Sequence, residues 1–217
     1  MYTGPNIVTD GLVLALDAAS ERSYPGTGLI WTDLSGEDHT ANLASGGATF
    51  SSTDNGVLVF DGSTSDRIDV TNPGISQQFS VSSWVYCTNV ASSNNIVSKN
   101  GPYFMRIVSS KVRFNVLAGS WLFQNGTTLL TNNTWYNLAM VYNGSTWKGY
   151  INGEQEFSTS KTGTISSNAP LYIGYTPAGG EQAGFNGNIA RVSIYDKALS
   201  PLEILQNYNA LKNRFGL

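Results

Sequence analysis

Residues 135–151 most constrain the fold. In Trp135-Tyr-Asn-Leu-Ala-Met-Val-Tyr142, residues Tyr136, Leu138, Met140 and Tyr142 share one parity, and Trp135, Asn137, Ala139 and Val141 share the other. A period of two is the signature of a strand. Asn143-Gly144-Ser145 follows, then Trp147-Lys-Gly-Tyr-Ile151 and Asn152-Gly153. Asn and Gly tolerate the positive φ that tight turns require, so the segment reads as two consecutive hairpins. Leu171–Tyr175 adds a third strand, with Gly174 marking a bulge or a close approach, and Ile189–Tyr195 a fourth. The expected arrangement is one antiparallel meander.

The same patterning extends upstream. Residues 7–17 contain a nearly continuous apolar strand ending at Asp17, and residues 48–60 hold two short strands around Asp54-Asn-Gly56. In Phe79-Ser-Val-Ser-Ser-Trp-Val-Tyr86 both parities carry large side chains, which predicts cover on both faces. Strands follow at 95–99, 103–108 and 111–117; in the last, Val112, Phe114 and Val116 form an apolar face while Lys111, Arg113 and Asn115 face the other way. That polar face is a candidate binding surface, with Trp121 and Phe123 either on it or turned inward. Ser200-Pro-Leu-Glu203 has the capping-box pattern, with proline at the first helical position. It predicts a helix over about 200–212, with Leu202, Leu205, Tyr208, Asn209 and Leu211 laid against a sheet edge or sandwich end. The plain reading is a docked terminal helix; the alternative is that Phe215-Gly-Leu217 projects into a neighbouring subunit.

Read in order, W-Y-N-L-A-M-V-Y-N-G-S, Y-I-N-G-E, L-Y-I-G-Y and F-N-G-N-I-A-R-V-S-I-Y-D-K-A-L-S-P-L-E-I resemble the C-terminal half of a laminin-G-like domain of the concanavalin A-like lectin/glucanase superfamily. Gly11–Asp17 and Val59-Phe-Asp-Gly62 extend the resemblance over nearly the whole chain. Trp31-Thr-Asp-Leu-Ser-Gly36 is similar to that family's W-x-D-L-S-G-N-G loop, with Glu37-Asp38 in place of Asn-Gly, and implies packing roles for Trp31 and Leu34 and a turn role for Asp33. The resemblance implies an all-β fold, a two-sheet antiparallel jelly-roll sandwich with one short C-terminal helix. A single domain over 1–217 accords with the chain's length and with roughly a dozen strands. The ending, residues 203–217, further resembles such domains in tailed-phage virion structural proteins. That implies a virion or decoration protein, with other virion proteins of capsid or tail and a second copy of itself as partners.

Only 12% of residues are charged and the net charge is −3. With no basic run, the electrostatic footprint of a nucleic-acid or anionic-membrane binder is missing, and neither partner is expected. No apolar run approaches the ~18 residues of a spanning helix, and the start Met1-Tyr-Thr-Gly-Pro lacks the pattern of a secretory leader. If Met1 is the natural start, the chain is expected in the cytoplasm until lysis releases it. Cys87, the single cysteine, reads as a buried thiol.

Catalysis is not expected. Retaining glycosidases place two carboxylates about 5–5.5 Å apart, a need the superfamily's glucanases meet with E-x-D-x-x-E on one strand. That run is absent, and Glu154-Gln-Glu156 sits at a hairpin exit. His39, the sole histidine, has no nucleophile elbow beside it. Where relatives carry G-x-I-D-E-V, this chain has Gly187-Asn-Ile-Ala-Arg-Val192, so any role resting on that acidic pair is lost. Sugar binding asks for an aromatic platform beside hydrogen-bonding groups. Trp121 with Asn125, Tyr103 with Asn100, and Tyr175 near Glu181 and Gln182 are the candidate pairings, together with Arg113 and Asn115. A polysaccharide therefore joins the candidate partners. Ca²⁺ is the one cofactor left open: Asp17 either caps its turn or ligates a cation, and Asp61, Asp66 and Asp69 either shape turns or gather around one.

Overall fold

The computed structural model describes residues 5–44, 47–75, 77–165, 169–177 and 184–217. Its strands are β1 (Leu12–Asp17), β2 (Ile30–Thr32), β3 (Thr40–Leu43), β4 (Thr49–Ser51), β5 (Val57–Asp61), β6 (Ile68–Val70), β7 (Phe79–Cys87) and β8 (Asn94–Lys99). They continue with β9 (Tyr103–Val108), β10 (Lys111–Ala118), β11 (Ser120–Asn125), β12 (Thr134–Tyr142), β13 (Thr146–Ile151), β14 (Glu154–Ser160), β15 (Leu171–Ile173) and β16 (Asn186–Tyr195). A helix, α1 (Pro201–Leu211), then runs into a 3-10 turn at Lys212–Phe215. One sheet, sheet A, is ordered β14-β13-β12-β7-β16-β5-β4, with β1 on the C-terminal half of β16; the other, sheet B, is ordered β11-β10-β9-β8-β15-β6-β3-β2. The strand pairs are antiparallel, and the two sheets make the jelly-roll sandwich that the resemblance implies.

The expected meander holds only for β12, β13 and β14. The chain then crosses to sheet B, where β15 fits between β8 and β6, and returns to sheet A as β16 between β7 and β5. Strand periodicity fixes which face a residue occupies but not which neighbour its backbone pairs with, so this crossover leaves no local signal. The hairpin turns are as read: Asn152 and Gly153 both have positive φ, 51° and 83°, and the Asn143 carboxamide accepts the amides of Ser145 and Thr146. Gly174 is the close approach. A Cβ there would meet Phe60 Cε1 at 2.4 Å, and the backbone has φ 77°.

Between the sheets lies one continuous core. Tyr136, Leu138, Met140 and Tyr142 of β12 enter it with Phe79, Val81 and Val85 of β7 and Val112, Phe114 and Val116 of β10. Trp31 is buried as expected while Leu34 is only half-buried, and the Cys87 thiol is buried and pushed up to about 11 by desolvation. Asp33 accepts the amides of Ala15 and Ser35 and the Ser35 hydroxyl, holding its loop against β1.

The opposite parities of β7 and β12 meet a different cover. α1 and the final turn lie across the outer face of sheet A, where Trp84 stacks on Phe215 at 4.3 Å and on Tyr208 at 5.7 Å, and Trp135 contacts Phe215 at 4.5 Å. The capping box is present, Ser200 with Glu203. The helix therefore sits on a sheet face rather than an edge, and Phe215 is buried against its own chain instead of projecting toward another. Its buried residues are Ile204, Asn207 and Ala210, while Leu202 is 78% exposed. The polar Asn207 explains the shift of the helix's inner face. Its carboxamide accepts the Val8 amide at 2.8 Å and donates to the Tyr195 hydroxyl at 3.0 Å, a slot that a reading by hydrophobicity assigns to an apolar side chain. With sheet A covered, the outer face of sheet B is the one left to solvent around β9, β10 and β11.

Candidate functional site

Antiparallel register places a row of side chains on the outer face of sheet B. From β11 inward it reads Phe123, Asn115, Phe104, Ser98 and Tyr172, and it continues through Asp69 and Asn42 to Ile30. Paired residues point the same way, so the inward course of Val112, Phe114 and Val116 forces their neighbours outward. From Phe123 to Tyr172 the row crosses four strand spacings, about 19 Å. Two aromatic groups stand on it, separated by β8.

The first group lies on β9 to β11. Trp121 is 48% exposed and stacks on Phe104, with centroids 5.1 Å apart and planes 16° from parallel; Phe123 is 60% exposed. The Arg113 guanidinium lies 5.2 Å over the Phe123 ring, and its Nε donates to Asn125 Oδ1 at 2.8 Å. Asn115 Oδ1, beneath this group, is buried without a hydrogen-bond partner. Such an arrangement offers apolar stacking area, a fixed cation and an unmet acceptor side by side.

The second group is smaller. Tyr175 meets Tyr172 edge-on at 5.7 Å and lies 5.7 Å beneath Arg67, whose Nε pairs with Asp69 at 3.0 Å. The Tyr175 carbonyl accepts the Ser98 hydroxyl at 2.8 Å, so this loop crosses over β8 and bounds the first group on its inner side.

Of the residues singled out in the sequence, Trp121, Asn125, Arg113 and Asn115 are brought together and Tyr175 shares their face. Tyr103 is not part of this surface. It faces the core, wholly buried and stacked on Phe79 at 4.8 Å, and burial raises its hydroxyl far above the ordinary range. Asn100 remains at the exposed turn between β8 and β9, away from its expected partner; Glu181 and Gln182 lie outside the described residues. Phe104, Arg106 and Tyr172 were not anticipated. Their signal was available: once Met105 and Ile107 are assigned inward, Phe104 and Arg106 must point out. Tyr172 likewise faces outward and does not stabilise the intersheet core.

The four aspartates do not gather. Asp17 caps its turn by accepting the Ala19 amide, and its two carboxylate oxygens receive Arg191 at 2.6 Å and Arg214 at 2.8 Å. Asp69 is held by Arg67, and Asp66 accepts the Asp61 amide at 2.7 Å. Burial pushes the Asp66 carboxyl up, more than that amide pulls it down. Among the described residues, no three His, Cys, Asp or Glu side chains form a group able to hold a metal ion. His39 sits on a loop, with Nδ1 3.5 Å from the Thr71 hydroxyl.

A polar cleft opens at one end of the sandwich, lined by Asp61, Asn89, Ser93, Asn94 and Asn186, with Asp61 its sole carboxylate among the described residues. Glu154 is exposed, whereas Glu156 is committed to structure: it accepts the amides and hydroxyls of Thr127 and Thr128 at 2.6–2.9 Å. Burial works against its charge, but those four hydrogen bonds outweigh it and hold the carboxyl below its usual range. Glu156→Gln is expected to cost about 1–2 kcal/mol, because charge-assisted bonds become neutral ones. Urea denaturation reads this loss, and an unchanged midpoint would show that the clamp contributes nothing.

A two-sheet antiparallel jelly roll with one face covered by a helix and one open aromatic face is a lectin-like β sandwich. The chain belongs to the concanavalin A-like lectin/glucanases superfamily, whose family model matches residues 61–205. A search of curated proteins finds no match. Similar solved structures include domain 4 of an extracellular arabinanase from Geobacillus stearothermophilus in complex with arabinotriose, at TM-score 0.71 and 18% identity over 91% of this chain and 98% of that one. Others are the binding domain of Paraclostridial mosquitocidal protein 1 (TM-score 0.73, 18% identity, 93% of this chain) and the botulinum neurotoxin serotype D ligand-binding domain with N-acetylneuraminic acid (0.72, 18%, 93%). The chain spans about half the length of these two, 52% and 51%. Among the described residues no helix is long and apolar enough to cross a membrane.

Proposed function

We propose that the chain is a non-catalytic carbohydrate-binding module that takes an oligosaccharide on the outer face of sheet B. The observation that carries this reading is the exposed Trp121 and Phe123 pair on the uncovered sheet, beside Arg113, Asn115 and Asn125. A sugar ring offers a C–H face for stacking and hydroxyls for the amides, which is the division of labour these side chains present. The arabinotriose complex of the similar arabinanase domain, matched over nearly its whole length, supports the same reading. Commitment of Glu156 to Thr127 and Thr128 supports the absence of glycosidase chemistry. On a glycan array followed by titration of the best hit, Trp121→Ala is expected to weaken binding about threefold to tenfold, and Trp121→Ala with Phe123→Ala by more than tenfold, with the melting temperature unchanged. A double variant that binds as the parent does would overturn the placement, and a parent that binds no glycan would overturn the function.

The setting we propose is a tailed-phage particle, where the module attaches to capsid or tail proteins, or to a second copy of itself, and presents this face to surface polysaccharide. The resemblance of residues 203–217 to the endings of such domains supports it. Mass spectrometry of purified particles is expected to find the chain in stoichiometric amount; its absence from them would remove the proposal.

A further inference from the structure

Resting on the glycan-binding reading above, we propose that this face selects acidic sugars, with the carboxylate of a uronic- or sialic-acid residue seated on Arg113. The chain as a whole has net charge −3, yet β10 directs Lys111 and Arg113 outward beside the aromatic platform. The carboxylate in the register row crossing this face, Asp69, is neutralised by Arg67. Glu156, at the adjoining edge of the sandwich, keeps its negative charge but turns it toward Thr127 and Thr128. Among the described residues Lys111 and Arg113 enter no ion pair, so the excess beside the platform is cationic, against the charge of the molecule.

Arg113 is also set for the task. Its Nε is spent on Asn125 and its plane rests on Phe123, which fixes the guanidinium while its two terminal nitrogens make no hydrogen bond within the described chain. A planar fork with two free donors matches a carboxylate in bidentate fashion, and pre-positioning lowers the entropy lost on binding. Close by, Asn115 Oδ1 is a buried acceptor with no donor, a costly state that a sugar hydroxyl relieves. The ligand that answers all three features carries an anion, hydroxyl groups and an apolar ring face together. A neutral glycan leaves Arg113 without a counter-charge, and a simple anion leaves Trp121 and Asn115 unused.

The test uses the full chain on an array spanning neutral, uronic, sialic and sulfated glycans, followed by affinity electrophoresis in polygalacturonate, its methyl ester, neutral dextran and dextran sulfate. Hits are expected among carboxylated glycans, with retention lost when the carboxylates are esterified or reduced. Arg113→Met is expected to weaken the acidic hits at least tenfold with the melting temperature unchanged, and Arg113→Lys to recover only part. Trp121-dependent binding confined to neutral glycans, or indifferent to esterification, would overturn the acid selectivity and leave the glycan-binding reading standing. Retention by dextran sulfate with no carboxylated hit would reduce the face to a cation exchanger and overturn the assignment of a carboxylate. A blank array would remove both readings.

Discussion

Replacing Asp17 by alanine is expected to cost about 3–5 kcal/mol, the range for removing one partner of a buried ion pair. Asp17 closes β1, and its carboxylate receives Arg191 Nη1 at 2.6 Å and Arg214 Nη1 at 2.8 Å, with all three side chains almost wholly buried. Deleting it leaves two guanidinium groups short of their counter-charge. The loss spreads along the chain, because Arg214 also donates to the carbonyls of Asp54 and Gly56 and precedes Phe215, which fills the gap between Trp84 and Trp135. The carboxylate thus joins the first strand, β16 and the C-terminal turn. Guanidinium denaturation of Asp17→Ala should show a lower midpoint, and limited proteolysis should cut first after Arg214. Combining Asp17→Ala with Arg191→Met and Arg214→Met should recover part of the stability, since the penalty lies in stranded charge more than in a lost bond. A loss below 1 kcal/mol in the single variant would mean that solvent reaches these groups.

Features written into local chain chemistry were legible in the sequence. β7, β10 and β12 alternate because each divides its side chains between two environments, and the Asn-Gly turns and the Ser200–Glu203 box act within four residues. Relations across the chain left less trace. β2, β4 and β15 have three residues each, too few for a period, and edge strand β14 is mostly polar because little covers it. The site shows the same division. Arg113 and Asn115 fall on one face through parity alone, and Trp121 follows by pairing across to Leu117. Tyr103 was misplaced because an aromatic ring suits a core as well as a platform, and only its pairing with Val116 settles that it points inward. That sheet B is the open sheet depends on α1 covering the other one. The helix and its final turn dock through Asn207 and Phe215, whose contacts with Val8 and Trp84 lie more than a hundred residues away in sequence.

Lys99→Met is expected to stabilise the protein at neutral pH by about 2 kcal/mol. Lys99 ends β8 on its inward parity, has no exposed surface, and donates to the Asn72 carboxamide and, at 2.9 Å, to the Pro73 carbonyl, both neutral acceptors. Desolvation of an ammonium with no carboxylate beside it among the described residues lowers its pKa from 10.5 to about 8. Below about pH 8 both folded and unfolded chains carry the proton, and the fold bears the full penalty. Between about 8 and 10.5 the folded chain has released the proton while the unfolded chain still binds it, so stability rises with pH through that window. At 1.36 kcal/mol per unit the shift corresponds to about 3 kcal/mol, from which the two lost hydrogen bonds subtract about 1. Methionine keeps the unbranched stem and nearly the volume, so the gain should not be lost to a cavity. Above about pH 10 the neutral Tyr103 reverses the slope, because its hydroxyl stays protonated in the fold and ionises in the unfolded chain. Urea midpoints from pH 7 to 9 should therefore climb for the parent and not for Lys99→Met; above about pH 9 the buried Cys87 thiol, held protonated in the fold, lowers both curves. Parallel curves would show that the amine is solvated and that its charge costs the fold nothing.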